Sequence, residues 1–315
     1  MQYGPLSDLN AGTFSWSARR KRIFDSCRRA YFFHYHAGNH GITPESPSDF
    51  QHIRRLKNLK FLRSWAFELI NRSILEVLLT NQDSTKNEKD LYRKIERTLA
   101  KKFQIGRLHL LDKAWWNDAK ALNLFEVYYH ELNQTQALDS VRELLRSGFA
   151  AIRESRLNDL MFETCRIALK YNPGPLDFNF NGYPVWLGQA LTFYKEGEIL
   201  INIIEPDTGY NRESGAFRAG LYKMAAAAKN WGTPDRVRTF FFRIVDSTLN
   251  EFEISNDNIN LSEIIDTIES STTEMRSYIR TGNRIDISDF PVNKENCERC
   301  RYKEICRESV NERNE

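Results

Sequence analysis

The chain has 315 residues, 41% hydrophobic and 28% charged, with a formal net charge of +3 and a mean hydropathy of −0.57. These values fit a soluble globular protein able to bury a large core, and no apolar run approaches the ~18 to 20 residues that span a bilayer. A membrane-spanning protein is thereby excluded, and "MQYGPLSDLNAGTF" lacks the basic and apolar regions of a secretory signal, so a cytoplasmic location without a membrane partner is expected.

From Phe14 to about Tyr35, "FSWSARRKRIFDSCRRAYFFHY" opens on a Ser/Trp/Ser element able to cap a helix. Apolar residues then recur near helical spacing at Ile23, Phe24, Cys27, Ala30 and Tyr31, which predicts one helix with Cys27 facing inward. Between Ala11 and Ile70 eleven Lys/Arg face four acids, Asp25, Glu45, Asp49 and Glu68. That excess suits a surface turned toward a polyanion, or equally a solvated helix face whose acids lie elsewhere in the fold. The composition of "HAGNHGITPESPSDF" is that of a loop, and a long helical region follows to about Arg156, broken at "NQDSTKNEKD" and near "LHLLDKAWW".

Beyond Cys165 the texture changes. "PLDFNFNGYPVWLGQALTFYKEGEILINIIEPDTGY" predicts three short strands with turns at "NG", "EG" and "TG". "GAFRAGLYKMAAAAKNW" is helical by composition, "RVRTFFFRIV" is an aromatic and β-branched strand, and "LSEIIDTIESSTTEMRSYIRTG" is a final amphipathic helix before a frayed tail. The expected architecture is an α/β core at 161–250, preceded by a helical region at 1–160 and followed by a helix and cysteine cluster at 251–315, all in one domain.

Five cysteines add a sharper signal. Cys297, Cys300 and Cys306 form a C-x2-C-x5-C run in "CERCRYKEIC", tighter than a disulfide framework requires and one ligand short of a tetrahedral metal centre. Either Cys27 or Cys165 could complete it, and four thiolates suit Zn²⁺ or an iron–sulfur cluster equally. His34, His36 and His40 lack the spacing of ligands on one helix face, and Trp115 and Trp116 fit packing within a helical hairpin better than base stacking.

Two patterns carry a family resemblance. One is "ILINIIEPDTGY", an apolar strand ending in acid, spacer, charged residue and Thr-Gly. The other is F-x2-C-x-R-x-Y-x3-Y at Phe24, Cys27, Arg29, Tyr31 and Tyr35, combined with three cysteines near the far end of the sequence. From about Phe14 to Cys306 the chain resembles the PD-(D/E)xK nuclease superfamily, in particular the RecB-like branch with an iron–sulfur cluster. That branch includes CRISPR-associated RecB-like exonucleases and AddB-type nuclease domains. The resemblance implies a restriction-endonuclease-like core sheet flanked by helices. It also implies a 4Fe–4S cluster on Cys27, Cys297, Cys300 and Cys306 that ties the chain ends together, leaving Cys165 as a buried structural thiol.

The catalytic motifs of such nucleases are altered here. Phe67 and Asn71 in "WAFELIN" take the places of a glycine and a histidine, and the strand-end aspartate falls on Gln189 or Ala190. Glu205 preserves the second acid, Asp207 replaces the lysine, Arg218 replaces a glutamine and Tyr222 survives. In the resembling enzymes the acids and histidine hold Mg²⁺ or Mn²⁺ against a phosphate while the lysine offsets developing negative charge. Replacing Lys by Asp changes the local charge by two units, each worth roughly 4 kcal/mol at ~4 Å and an effective dielectric of ~20, in the direction that repels a phosphodiester.

The resemblance therefore implies a non-cleaving nuclease-like protein that binds DNA or RNA, or scaffolds a nucleic-acid-processing or defence complex. Its protein partner would be an active nuclease, helicase or other effector. Arg19, Arg20, Lys21, Arg22, Arg28 and Arg29 are its candidate phosphate contacts. The alternatives are an active Mg²⁺- or Mn²⁺-dependent nuclease using Glu205, Asp207 and a migrated Lys223, and a structural assembly protein that binds an acidic partner. An ion pair between Asp207 and Arg218 is a further expectation.

Overall fold

The computed structural model describes residues 9–40, 46–80, 88–164, 177–188, 190–195, 197–206, 212–245 and 248–306. Cys165, Gln189 and Asp207 lie outside them, as does the expected ion pair from Asp207 to Arg218. The fold is mixed α/β.

Ser17 begins α1 (Ala18–Ser26), its side chain accepting the Arg20 N–H at 3.0 Å. The helix expected to run through Cys27 stops there instead, because Cys27 takes an extended conformation (φ −165°, ψ 118°) before the single turn of α2 (Arg28–Tyr31). The break has a tertiary cause. The Arg29 N–H donates to Pro291 O at 3.1 Å and its Nε to Phe290 O at 2.7 Å, so a segment near the other chain end captures the backbone. A π-helical turn over Phe32–His36 then buries Phe32, Phe33, His34 and His36.

The two ends of the described chain share one core. β1 (Leu9–Asn10) pairs antiparallel with β8 (Arg284–Ile285), and Phe24, Tyr31, Phe32 and Phe33 pack with Met275, Phe290, Tyr302 and Ile305. α3 (Ser48–Asn58) closes this core with Phe50, Ile53 and Leu56.

The helical region consists of α4 (Leu62–Thr80), α5 (Glu88–Leu111), α6 (Phe125–Tyr128), α7 (Gln134–Arg153) and α8 (Arg156–Thr164). Asn133 and Gln136 cap α7 reciprocally, at 2.9 and 3.0 Å. α4 and α5 approach closely only because residue 106 is glycine, since a Cβ there would lie 2.3 Å from the Trp65 ring. No helix among the described residues is long and apolar enough to cross a membrane.

Strand alternation divides the remaining core in two. The central sheet has the order β4 (Leu191–Lys195), β5 (Glu198–Pro206), β6 (Val237–Val245), β7 (Thr248–Ile254). β5 and β6 run parallel across the helix α9 (Arg212–Ala228), and the other pairs are antiparallel. Leu200, Ile204, Phe240 and Phe242 face α4 and α7, whereas Ile199, Ile201, Ile203 and Phe241 face α9 and α10 (Leu261–Ser277).

β2 (Asp177–Phe180) and β3 (Tyr183–Trp186) form a separate hairpin at the expected "NG" turn, with Asn181 and Gly182 at φ 47° and 85°. The single strand expected through "YPVWLGQALTF" is therefore interrupted after Trp186 and resumes at Leu191. β7 had no sequence counterpart, because its alternating Asn250, Glu251 and Glu253 dilute the apolar pattern of a strand at the sheet's edge.

Candidate metal centre and strand-end site

Cys27, Cys297, Cys300 and Cys306 line one pocket, with Phe33 and Val292 on its apolar wall, and all four thiols are free of disulfides. The helix break places Cys27. The other three hang on a tight run of turns: Asn293 Oδ1 accepts the Glu295 N–H at 3.2 Å, Cys300 N–H reaches Cys297 O at 3.1 Å, and Cys306 N–H reaches Tyr302 O at 3.0 Å. Backbone donors point at two sulfurs, Asn293 N–H to Cys27 Sγ at 3.5 Å and Tyr302 N–H to Cys300 Sγ at 3.4 Å.

Burial pushes the Cys300 thiol up to about 12; the Tyr302 N–H opposes that rise, and the neighbouring Cys27, Cys306 and Cys297 add to it. A buried thiol whose ionisation is disfavoured by three neighbouring cysteines is a donor that a positive metal centre would favour in its ionised form. Among the described residues, no three His, Cys, Asp or Glu side chains are grouped as ligands of a single ion. His34 and His36 are committed elsewhere, Nδ1 of His34 to Tyr302 Oη at 2.9 Å and Nδ1 of His36 to Ala11 O at 3.3 Å.

The second site lies where β5 ends. Asn71 of α4 donates from Nδ2 to Ile204 O at 3.1 Å, one residue before Glu205. Tyr222 of α9 donates to Gly188 O at 3.1 Å, which ties the helix to the link between β3 and β4 where buried Ala190 sits. Arg218, one turn earlier on α9, lies with its guanidinium carbon 5.1 Å from the Phe241 ring centre. Position 205 is in register with Arg243 of β6, whose guanidinium lies 5.0 Å from the Phe252 ring centre. Asn71, Ala190, Arg218 and Tyr222 are thus held around the end of the strand that carries Glu205. Sequence reading missed Arg243; the signal was "TFFFRIV", where an arginine interrupts an otherwise apolar strand.

Lys223 does not join them. Its side chain is 3% exposed and Nζ donates to Pro234 O at 2.5 Å and Val237 O at 2.6 Å. Val237 pairs with Ile199, at the opposite end of β5 from Glu205 and about 20 Å away at ~3.3 Å per residue. Burial lowers the pKa of this lysine, with Asp235 and Glu253 opposing, and its role is to cap the carbonyls entering β6. The migrated-lysine expectation is corrected accordingly.

The expected phosphate contacts also separate. Arg19 and Arg22 are exposed at the surface of α1. Lys21 pairs with Asp25 at 2.6 Å, and Arg28 pairs with Glu274 while lying over the Phe24 ring. Arg29 is tied to Phe290 O beside the cysteine pocket. Arg20 is 5% exposed, its Nε and Nη2 donating to Tyr31 Oη at 3.0 and 2.7 Å and its Nη1 to Ser15 O at 2.8 Å, so it cannot grip a strand by itself as an exposed side chain would. Trp115 and Trp116 stack on each other with ring centres 4.1 Å apart.

No protein-family model matches the chain, and no curated protein does. Among solved structures, the chain is similar to one described as the crystal structure of SSO0001. The two are 14% identical with a TM-score of 0.28, over 58% of this chain and 78% of that one.

Proposed function

We propose that this chain is a catalytically degenerate PD-(D/E)xK nuclease-like protein whose Cys27, Cys297, Cys300 and Cys306 hold a 4Fe–4S cluster. It acts as a nucleic-acid-binding or scaffolding subunit beside an active nuclease, helicase or other effector. The observation that carries the reading is the meeting of Cys27 with three cysteines from the other end of the sequence around one pocket. The alternating apolar and donor-bearing wall suits a sulfur-rich centre, since Phe33 and Val292 exclude water while backbone N–H groups reach the sulfurs. When bound, the cluster supplies a cross-link between the chain ends in addition to their shared core.

The strand-end arrangement supports the loss of cleavage. Hard divalent cations need several oxygen ligands, and buried Ala190 supplies no side-chain oxygen. Lys223 is spent on backbone carbonyls. What persists there is scaffolding: Asn71 braces β5 and Tyr222 braces the β3–β4 link.

Iron and sulfide analysis of anaerobically purified chain, with single- and double-stranded DNA cleavage assays in Mg²⁺ and Mn²⁺ on the same sample, tests the reading. About four irons per chain and no cleavage are expected. Cleavage that disappears in Glu205→Ala would sink the non-cleaving reading, and zinc in place of iron would keep the staple while removing the cluster.

A further inference from the structure

Arg20 is a buried cation whose hydrogen-bond partners are neutral. Its guanidinium bonds to the Tyr31 and Ser15 oxygens and lies 4.6 Å from the ring centres of both Phe14 and Tyr35. Burying a charge is costly unless an opposite charge accompanies it, and aromatic faces return only part of that cost. Among the described residues, no carboxylate pairs with Arg20.

Four further cations gather on the same side. Lys57, near the end of α3, donates to Asn39 Oδ1 at 2.6 Å, and Arg301 Nη1 donates to the Lys57 carbonyl at 2.9 Å, bringing the cysteine-bearing segment against α3. Arg54 lies one turn before Lys57, and exposed Arg19 adjoins Arg20 on α1. Among the described residues, no salt bridge joins Arg19, Arg20, Arg54, Lys57 or Arg301 to an acid. The neighbours acting on Lys57 agree with this. Burial first, then Arg54, Arg19 and Arg20, bring its pKa down to about 8, and no described carboxylate offsets them. Buried His34 is surrounded in the same way by Arg19, Lys57, Arg301 and Arg20.

Three separate stretches of sequence thus deliver positive charge to one place, with no paired acid among the described residues. An anion bound there would offset this mutual repulsion. Guanidinium forks and an ammonium match the tetrahedral oxygens of phosphate better than a single planar carboxylate, which would leave most of the charge unbalanced. We propose that Arg19, Arg20, Arg54, Lys57 and Arg301 form a phosphate-binding site that grips the backbone of a bound nucleic-acid strand. The source of the phosphate rests on the nucleic-acid-binding reading above; the anion site itself does not. Buried Arg20 and half-buried Arg301 form its floor, while Arg19 and Arg54 reach the ligand from the rim.

The test uses the full chain, a short single-stranded oligonucleotide and inorganic phosphate as probes. Arg19→Glu and Arg54→Glu are each expected to weaken oligonucleotide binding at least tenfold more than the control Lys101→Glu on exposed α5. Each should also reduce the slope of log K against log salt by about 0.7 for every phosphate that is no longer neutralised. In the unsubstituted chain, the side-chain NMR titration of Lys57 should move to higher pH when inorganic phosphate is added, and it should not move in Arg54→Glu. Reversals that weaken binding no more than Lys101→Glu, with Lys57 indifferent to phosphate, would overturn the site while leaving nucleic-acid binding elsewhere intact. If the chain ignores the oligonucleotide yet Lys57 responds to inorganic phosphate, the site stands with a small phosphate compound as its ligand, and the nucleic-acid reading fails.

Discussion

The cysteine pocket and the strand end are both assembled from distant segments of one chain, but from different kinds of side chain. At the pocket every side chain that the sequence pattern requires is present, and distant segments meet to assemble them: Cys27 from the first helix break, the other three from the turns after Asn293. At the strand end the helices and strands also meet, and on the proposed reading Asn71, Arg218 and either Ala190 or Gln189 stand where a nuclease would keep its metal ligands and their orienting groups. The difference teaches which property each region supplies. On the proposed reading, the pocket's side chains hold a group that joins the chain ends, and the fold would depend on them. The strand-end side chains sit on a sheet that folds by its apolar alternation, which requires none of them.

The largest expected effect breaks the comparison at the pocket. If the four cysteines hold the proposed cluster, replacing Cys27 by Ser leaves three thiols and removes a cross-link that closes a loop of roughly 270 residues. By analogy with other cross-links, closing a loop of that size stabilises on the order of 5 kcal/mol. Cys27→Ser should lose its iron and unfold at much lower denaturant, whereas Glu205→Ala should leave both iron content and midpoint unchanged within ~0.5 kcal/mol. Equal losses in the two variants would mean that the strand end carries structural weight comparable to the pocket.

How much of this was legible beforehand follows the same division. The four cysteines that line the pocket could be singled out because cysteine is rare and three of them are closely spaced, and the β2–β3 hairpin because Asn-Gly at positions 181 and 182 encodes the positive φ its turn needs. The break at Cys27 could not be read, because the bonds that impose it come from Phe290 and Pro291, more than two hundred residues away. Lys223 misled for a related reason. Its position beside Tyr222 on one helix says nothing about direction, and consecutive helical residues point about a quarter-turn apart. The cation cluster was half visible: Arg19 and Arg20 stood out as a basic run, but Arg54, Lys57 and Arg301 reach it only through tertiary packing.

A middle-sized effect concerns acid. Burial holds His34 and His36 neutral, with cationic neighbours adding to it: Arg19, Lys57, Arg301 and Arg20 for His34, Arg20 and His40 for His36, the latter partly opposed by its bond to Ala11 O. His36 falls to about 3 from an ordinary 6.5. The folded chain therefore binds fewer protons than the unfolded chain as pH drops below 6.5, so stability is full above that value. It is then lost toward pH 3, at about 1.4 kcal/mol per pH unit for each histidine. Denaturant midpoints measured across this range should show the slope, and His36→Gln should remove one histidine's share of it. Because both histidines lie in the core shared by the chain ends, acid should loosen the pocket before it touches the sheet, which hydrogen exchange of β5 and β6 amides would register.

The smallest effect sharpens the comparison at the strand end. Tyr222 and Glu205 are the two positions at which the sequence keeps the residue types of the resembling motif, and the Tyr222 phenol donates to Gly188 O from a side chain that is 2% exposed. If the role left to it is to brace the link between β3 and β4, then Tyr222→Phe removes one hydrogen bond and strands one carbonyl, a loss of about 1 kcal/mol. Oligonucleotide affinity should not change, because the strand end holds the sheet and the cation cluster lies in a different core. A Tyr222→Phe variant of unaltered stability that binds nucleic acid several-fold more weakly would reverse this assignment, making the strand end the place where the strand is held.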